Sequence, residues 1–225
     1  MSFNLPKPKS GGDFEPCPEG THLAVCCRII DLGTAADHFG NHTHKIAIGW
    51  ETPDEKMSDG RPYLIHKEYS FSTHKKANLR KDLEAWRGKS FEEDEIEKFD
   101  ISKLIGKGCL ITIMQEKSQD GERTFSKVKG VVKPPKGTQI PALTNEGIVF
   151  QITSPLDLKT FEKLTDYWKN KIRESDEYQM DQFGKKAEPV SAKKPAGKIE
   201  LKKDADGYSD SVVPAVSFTD DDIPW

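Results

Sequence analysis

The chain has 225 residues, of which 35% are hydrophobic and 32% are charged. This length predicts one folded core with additional segments, and the low hydrophobic content indicates that part of the chain stays solvated. No run approaches the roughly 18 consecutive apolar residues of a membrane span, and the N-terminus lacks the apolar segment of a secretory signal. Four cysteines without a CxxC pair are too few for a disulfide scaffold. We therefore expect a cytoplasmic protein with reduced thiols and no membrane association.

The net charge of -3 conceals an uneven distribution. Residues 1–203 carry +3, whereas the last 22 residues contain six aspartates and no base. Within the body, residues 63–91 and 101–138 are rich in Lys and Arg, and the acidic run EEDEIEKFD (92–100) lies between them. A basic body with an acidic tail is typical of nucleic-acid-binding proteins, although charge runs also occur on ordinary solvated surfaces.

The first part of the chain predicts a flexible leader followed by three strands. Residues 1–18 contain four prolines and a glycine pair, which is typical of an irregular segment. Apolar residues then alternate with polar ones over residues 21–32, 44–52 and 63–72. This alternation predicts three strands in a meander.

The next part predicts a helix and a hairpin. Three apolar residues recur at helical spacing over residues 75–87, and Gly88 is a plausible end of that helix. A fourth strand around residues 109–113 and a fifth over 125–133 are joined by the turn signal Asp120-Gly121. Three strands, a helix and a hairpin predict a mainly β chain. We expect a five-stranded OB-fold Greek-key barrel over residues 19–138, with its helix between strands three and four.

The C-terminal part predicts an extension and a tail. Residues 139–183 contain one further strand near 147–152 and an amphipathic helix over 155–178, which we expect to pack on the barrel or on a second copy of the chain to form a homodimer. Large apolar residues are sparse over 184–225, which predicts a disordered tail. The last nine residues, SFTDDDIPW, combine apolar groups with three aspartates. They are typical of a peptide ligand that ends in a free carboxylate.

The tip DDDIPW, formed by Asp220, Asp221, Asp222, Ile223, Pro224 and Trp225, resembles the acidic C-terminal tip of bacterial single-stranded DNA-binding proteins (SSBs), which typically reads DDDIPF. The chain departs from this pattern in having Trp225 where Phe is usual. The resemblance implies that basic residues of a partner pair with the aspartates and the terminal carboxylate, while a pocket takes the Ile-Pro-aromatic end. The partner classes it implies are polymerases, helicases, primases and nucleases of replication or recombination.

The body resembles phage-encoded OB-fold proteins of the SSB type. The stretches KANLRKDLEAWRGKSF (76–91), FDISKLIGKGCLITI (99–113) and VKPPKG (132–137) support this resemblance, which covers about residues 15–140. It implies single-stranded DNA binding during phage replication or recombination, in the cytoplasm of a bacterial host. It does not identify the residues that contact DNA.

The contact residues must therefore be predicted from the pattern. An OB barrel binds single strands across strands two and three and the loops that flank them, using cations for phosphates and aromatic planes for bases. On strand two, the small outward residues Ala47 and Gly49 leave room for a base to lie flat. The candidate DNA-binding residues on these elements are Phe39, Lys45, Trp50, Lys67, Tyr69, Phe71, Lys75, Lys76, Arg80, Lys117, Phe125, Lys127 and Lys129.

Each candidate has a structural alternative. Tyr69 and Phe71 share the phase of Tyr63, so either can belong to the core. Trp50 follows two isoleucines in phase, which favours the core for it. A lysine on any of these elements is as compatible with a solvated surface as with a phosphate contact.

Enzyme functions have less support. His42 and His44 lie beside His38 and Asp37, but no further ligands follow at the spacing of a zinc site, which favours a polar loop. The acidic run 92–100 is more typical of a solvated segment than of a two-metal centre. Phosphate-loop, nucleophile-elbow and metalloprotease motifs are absent from the sequence. We expect no catalysis, no metal and no cofactor.

The sequence therefore predicts a protein that coats single-stranded DNA with little sequence preference and recruits partner proteins through its tip. Two alternatives stay open. One is a recombination mediator or annealing protein that uses the same barrel and tail. The other is an OB-fold protein adaptor that does not bind DNA.

Overall fold

The computed structural model describes residues 15–36, 40–118 and 121–183, with the backbone alone for 181–183. This part of the chain is mainly β. Its six strands are β1 (Gly20–Ala36), β2 (His42–Lys56), β3 (Pro62–Ser70), β4 (Gly108–Lys117), β5 (Thr124–Val132) and β6 (Ile148–Phe150). Its helices are α1 (Asn78–Arg87), α2 (Glu93–Glu97), α3 (Leu158–Glu162), α4 (Asp166–Arg173) and α5 (Asp176–Phe183), with a 3₁₀ turn over Ile101–Leu104.

The strands form one open sheet in the order β3-β2-β1-β4-β5, in which every neighbouring pair is antiparallel. The long strand β1 connects the two halves, because its first residues pair with β4 and its later residues pair with β2. The register between β1 and β2 shifts between Cys26 and Arg28, and such an irregularity bends a strand. β6 pairs in parallel with β1 at Arg28–Ile30. The two ends of the path are β3 and β5.

One face of the sheet covers the main core. Residues that alternate along the strands, among them Ile48 and Ile111, are buried there together with Leu83 and Trp86 of α1. The indole Nε1 of Trp86 donates to the carbonyl of Gly108 at 2.8 Å, which fixes α1 against β4. α1 ends at Gly88, whose positive φ of 75° is the left-handed conformation that favours glycine. The four cysteines are free and buried.

A second core lies on the opposite face of β1 and β2. Ile30 and Ala47 pack there against Phe150 of β6, Phe161 of α3 and Ile172 of α4. The C-terminal extension therefore covers this face of the sheet. Glu51, which is 0% exposed, connects the extension to β2 by accepting hydrogen bonds from the backbone of Thr144 at 2.5 Å and of Asn145 at 3.1 Å, and from the Asn145 side chain at 2.6 Å.

The prediction of one helix over residues 155–178 was wrong, because three short helices occupy this segment. Asp157 begins α3 by accepting from the backbone N–H groups of Lys159 and Thr160. Thr165 has extended dihedral angles and begins α4. The Ser175 hydroxyl donates to the Ile172 carbonyl at 2.7 Å where α4 gives way to α5. These boundaries divide the predicted helix into three, but the apolar residues of the three helices still pack in the second core.

No helix within the described ranges is long and apolar enough to cross a membrane. The predicted leader (1–18) lies outside the described residues except for residues 15–18, and the predicted tail (184–225) lies outside them entirely.

Candidate nucleic-acid interface

Three neighbouring depressions follow β3, and we call them together the β3 groove. The first lies where β3 approaches β5, is bordered by α4 and has a volume of about 510 Å³. It is lined by His66, Lys67, Glu68, Lys127, Val128, Lys129, Tyr167 and Trp168. The second, of about 380 Å³, shares Lys67 and Glu68 with the first. It is lined by Lys45, Lys67, Glu68, Tyr69, Ser70, Lys76, Ala77 and Asn78.

The third depression lies in the connection between β3 and α1 and has a volume of about 610 Å³. It shares Lys76 with the second depression, so the three depressions adjoin one another through shared lining residues. Its lining consists of Ser72, Thr73, His74, Lys75, Lys76 and Glu93. Six lysines and two glutamates line the groove as a whole. This excess of cations along adjoining depressions favours a polyanionic ligand.

Four of the six lysines have carboxylate partners. Lys67 contacts Asp82 at 2.6 Å, Lys75 contacts Glu93 at 2.9 Å, and both Lys127 and Lys129 contact Glu116. Within the described ranges, Lys45 and Lys76 have no carboxylate partner, which leaves two ammonium groups in the middle of the groove for an external anion.

The carboxylate of Glu116 lies beside β5, on the border of the first depression. Hydrogen bonds from Lys127 and then Lys129 lower its pKa to about 2. The group is therefore an anion throughout the physiological pH range and competes with any external phosphate for these two lysines.

Asp82 of α1 organises the centre of the groove. Its Oδ2 accepts hydrogen bonds from Lys67 Nζ at 2.6 Å and from the Tyr69 hydroxyl at 2.8 Å. Burial and then the charge of Asp82 raise the pKa of Tyr69 far above its usual value, so the phenol keeps its proton. Tyr69 is 3% exposed. It therefore lies in the wall of the second depression and positions Asp82 and Lys67, rather than offering a ring face to a base.

The assignment of Trp50 to the interface was wrong. This residue is 0% exposed, and its ring lies 6.1 Å from that of Trp86 inside the main core. The reason is its phase on β2, which places it on the same side as Ile46 and Ile48.

The assignment of Arg80 was also wrong. Its side chain is 3% exposed and is surrounded by acceptors. The guanidinium donates to Glu84, Glu93 and the carbonyls of Thr73 and Phe91. The acidic run 92–100 thus pairs with α1, since Arg87 also contacts Glu95. Arg80 stabilises the wall of the third depression and leaves no donor for a phosphate.

Three further candidates lie outside the groove. Phe71 is 51% exposed and its ring lies 5.3 Å from that of His44. Lys117 is exposed at the end of β4. Phe125 is 41% exposed and pairs with Glu116 across β4 and β5. The candidate Phe39 and the whole tip, residues 220–225, lie outside the described residues.

The outward face of β2 does not accept a base in this structure. Ala47 is buried in the second core, and Glu51 is bonded to the extension. A Cβ on Gly49 would lie 2.6 Å from the His66 ring. The small residues that predicted room for a base instead make room for the chain's own C-terminal extension and for His66.

His66 lies between β2 and the extension. Its ring is 5.1 Å from that of Trp168, and its buried Nε2 has no hydrogen-bond partner among the described residues. Burial, and secondarily the charge of Arg28, lowers the pKa of His66 to about 3. The ring is therefore neutral under ordinary conditions.

Sequence reasoning missed the groove residues Glu68 and Tyr167, and Lys171 beside them. Glu68 contributes an anion to the first two depressions. Tyr167 lines the first depression, and Lys171 contacts Glu68. Tyr167 and Lys171 are four residues apart on α4, beside the buried Trp168 and Ile172, so the sequence indicates that they lie at the edge of the buried face. Nothing in the local sequence shows that this edge lies against β3.

His42 and His44 each pair with an aspartate. His44 contacts Asp31 at 2.7 Å and His42 contacts Asp176 at 2.7 Å. No group of three or more potential metal ligands occurs among the residues that the structure describes. His38 and Asp37 lie outside those residues.

No protein-family model matches the chain, and no curated protein matches its sequence.

Proposed function

We propose that this chain binds single-stranded DNA with little sequence preference along the β3 groove, as a phage-type SSB without catalytic activity. The main observation behind this proposal is that six lysines line three adjoining depressions along β3, of which Lys45 and Lys76 lack carboxylate partners among the described residues. Seven of the thirteen candidates predicted from the sequence line it, namely Lys45, Lys67, Tyr69, Lys75, Lys76, Lys127 and Lys129.

The open sheet is, in this proposal, an OB barrel. The strand order β3-β2-β1-β4-β5 and the position of α1 between β3 and β4 agree with that fold. In a closed OB barrel, strands three and five are neighbours. Here Lys67 of β3 and Lys129 of β5 line the same depression, so the gap between the sheet ends coincides with the first part of the groove.

The groove is suited to the backbone of a single strand rather than to a base sequence. Ammonium groups attract phosphates without distinguishing the bases, and binding releases the counterions condensed on the strand. Affinity would therefore fall with salt concentration. The paired lysines exchange a carboxylate for a phosphate when the strand binds.

The tip extends this proposal to protein partners. Asp220–Asp222 and the terminal residues Ile223, Pro224 and Trp225 would recruit replication or recombination enzymes through a basic, aromatic-binding pocket of the partner. This part of the proposal depends on the sequence of the tip alone.

The test is fluorescence anisotropy with three labelled oligonucleotides. These are an oligo(dT) strand (written dT below), a mixed-sequence single strand and the corresponding duplex. We expect similar binding to both single strands, weaker binding to the duplex, and loss of affinity with rising salt. Failure to bind any single strand at low salt would refute DNA binding and favour the protein adaptor. A strand-annealing assay separates the remaining alternative, because an SSB that only coats DNA should not accelerate the pairing of complementary strands.

A further inference from the structure

Tyr167 is an exposed aromatic residue at the start of α4. It is 57% exposed, although its neighbour Trp168 is 5% exposed and packs in the second core. The two rings meet edge to face, with 4.8 Å between centroids and an interplanar angle of 74°. Because Trp168 already closes the core at this position, Tyr167 is not required to exclude water from it.

Polar contacts hold the ring in place. The Tyr167 hydroxyl donates to Glu68 Oε1 at 3.1 Å, and Lys171 Nζ lies 5.0 Å from the ring centroid. Lys171 also contacts Glu68, so Tyr167 and Lys171 of α4 and Glu68 of β3 each contact the other two. An aromatic plane that is fixed before binding loses little conformational freedom when a ligand stacks on it.

Tyr167 shares the first depression with two cations of β5. Lys127 and Lys129 of β5 line the same space, which has a volume of about 510 Å³ and lies within the range of small-molecule sites. One depression therefore holds the two kinds of group that bind a nucleotide. The aromatic ring offers a plane on which the base can stack, and the two ammonium groups offer positive charge for the phosphates.

We propose that Tyr167 is a base-stacking platform, so that the C-terminal extension supplies a part of the nucleic-acid site that the barrel lacks. One base of a bound single strand lies on the Tyr167 ring while the adjoining phosphates contact Lys127 and Lys129. This inference rests on the proposed function and adds a ligand subsite to it. It also gives the extension a binding role beside its packing role.

The test compares Tyr167→Ala, Tyr167→Phe and the matched control Leu158→Ala, which removes a 62% exposed side chain from α3 of the same extension. Each full-length variant is titrated with dT and with an abasic strand of equal length. Stacking on one base contributes about a 5- to 150-fold change in affinity. We expect Tyr167→Ala to lose at least about fivefold for dT and little for the abasic strand. Leu158→Ala should bind like the wild type, and Tyr167→Phe, which keeps the ring but loses the hydrogen bond to Glu68, should lose less affinity than Tyr167→Ala.

Two results would overturn the stacking platform while leaving DNA binding intact. One is wild-type affinity of Tyr167→Ala for dT. The other is an equal loss for dT and the abasic strand, which would show that the residue acts through the groove's shape. If the wild-type chain itself binds no single strand, the proposed function fails and the platform fails with it. Tyr167→Trp supplies a second measurement, because its added emission should be quenched by dT if a base stacks there.

Discussion

Charge pairing within the β3 groove decides which lysines are ready to bind. Lys67, Lys75, Lys127 and Lys129 each contact a carboxylate. The pairs of Lys75, Lys127 and Lys129 are exposed and contribute little to stability, so their main effect is to set the local potential. Glu116 is the clearest example, since one carboxylate contacts two lysines of β5.

We expect Glu116→Gln to bind single-stranded DNA more tightly than the wild type, because Lys127 and Lys129 would no longer have an anionic partner. The pKa of Glu116 is about 2, so its charge is lost only as the pH falls through that value. The gain should therefore be the same between about pH 5 and pH 8. Anisotropy titrations at several pH values measure it, and Glu162→Gln, whose carboxylate pairs with Lys169 outside the groove, is the matched control. Equal affinity of Glu116→Gln and wild type would contradict this role.

Two errors at the residue scale have physical causes. Trp50 and Arg80 were selected by residue type and strand position. Trp50 has the same alternation as its buried neighbours, so phase outweighed residue type. Arg80 needed acceptors to be buried, and Glu93 supplies one from 13 positions further along the chain. That pairing depends on the chain reversal between α1 and α2, which no local pattern predicts.

At the scale of elements, the C-terminal extension is an integral part of the sheet's packing. Ile172 of α4 is 0% exposed within the second core. We expect Ile172→Ala to lower the free energy of unfolding by about 2–5 kcal/mol, the usual cost of removing a large buried side chain. Leu158→Ala, at an exposed position of α3, should change it by less than about 0.5 kcal/mol. Urea unfolding measures both, and equal effects would mean that the extension does not pack as described.

His66 makes the contact between β3 and the extension sensitive to acid. Its pKa is about 3 in the folded chain against an ordinary 6.5, so below pH 6.5 the unfolded chain binds a proton that the folded chain does not. Above pH 6.5 neither the folded nor the unfolded chain binds this proton, so His66 does not make stability depend on pH. As the pH falls from 6.5 towards 3, the free energy of unfolding declines by at most about 1.4 kcal/mol per pH unit.

We therefore expect His66→Gln to show a shallower loss of stability than the wild type between pH 6.5 and pH 3. The measurement is the free energy of unfolding in urea at several pH values. The exposed His74 offers a matched control as His74→Gln. A variant whose pH profile parallels that of the wild type would argue against a buried neutral ring at position 66.

The sequence predicted most elements, because alternation and helical spacing are local properties. The five main strands and α1 were all predicted, with boundaries that shifted by a few residues. Packing of the extension on the barrel or on a second copy was predicted, but its position over the outward face of β2 was not. Ala47 and Gly49 are small whether a base or a helix lies against them, so the same residues satisfy both arrangements, and only the folded chain distinguishes the two.

At the scale of the whole molecule, the charge asymmetry of the chain has a consequence for binding. The last 22 residues carry -6 and are joined to a body of +3. An anionic segment on the same chain has a high effective concentration near a cationic groove. We expect a chain ending at Lys203 to bind single-stranded DNA more tightly than the full chain at low salt, with the difference disappearing at high salt. Equal affinities at low salt would refute competition by the tail.

Phosphate binding by the lysines of the β3 groove is the basis of the proposed function. Its most direct test is the salt dependence of dT binding by the double variant Lys45→Ala, Lys76→Ala, compared with Lys159→Ala, which removes an exposed lysine of α3 outside the groove. Each phosphate contact contributes about 0.7 to the slope of log affinity against log salt for a single strand. We expect weaker binding and a slope shallower by about 1.4 for the double variant, with the control unchanged. A slope and affinity equal to those of the wild type would show that Lys45 and Lys76 do not bind phosphates.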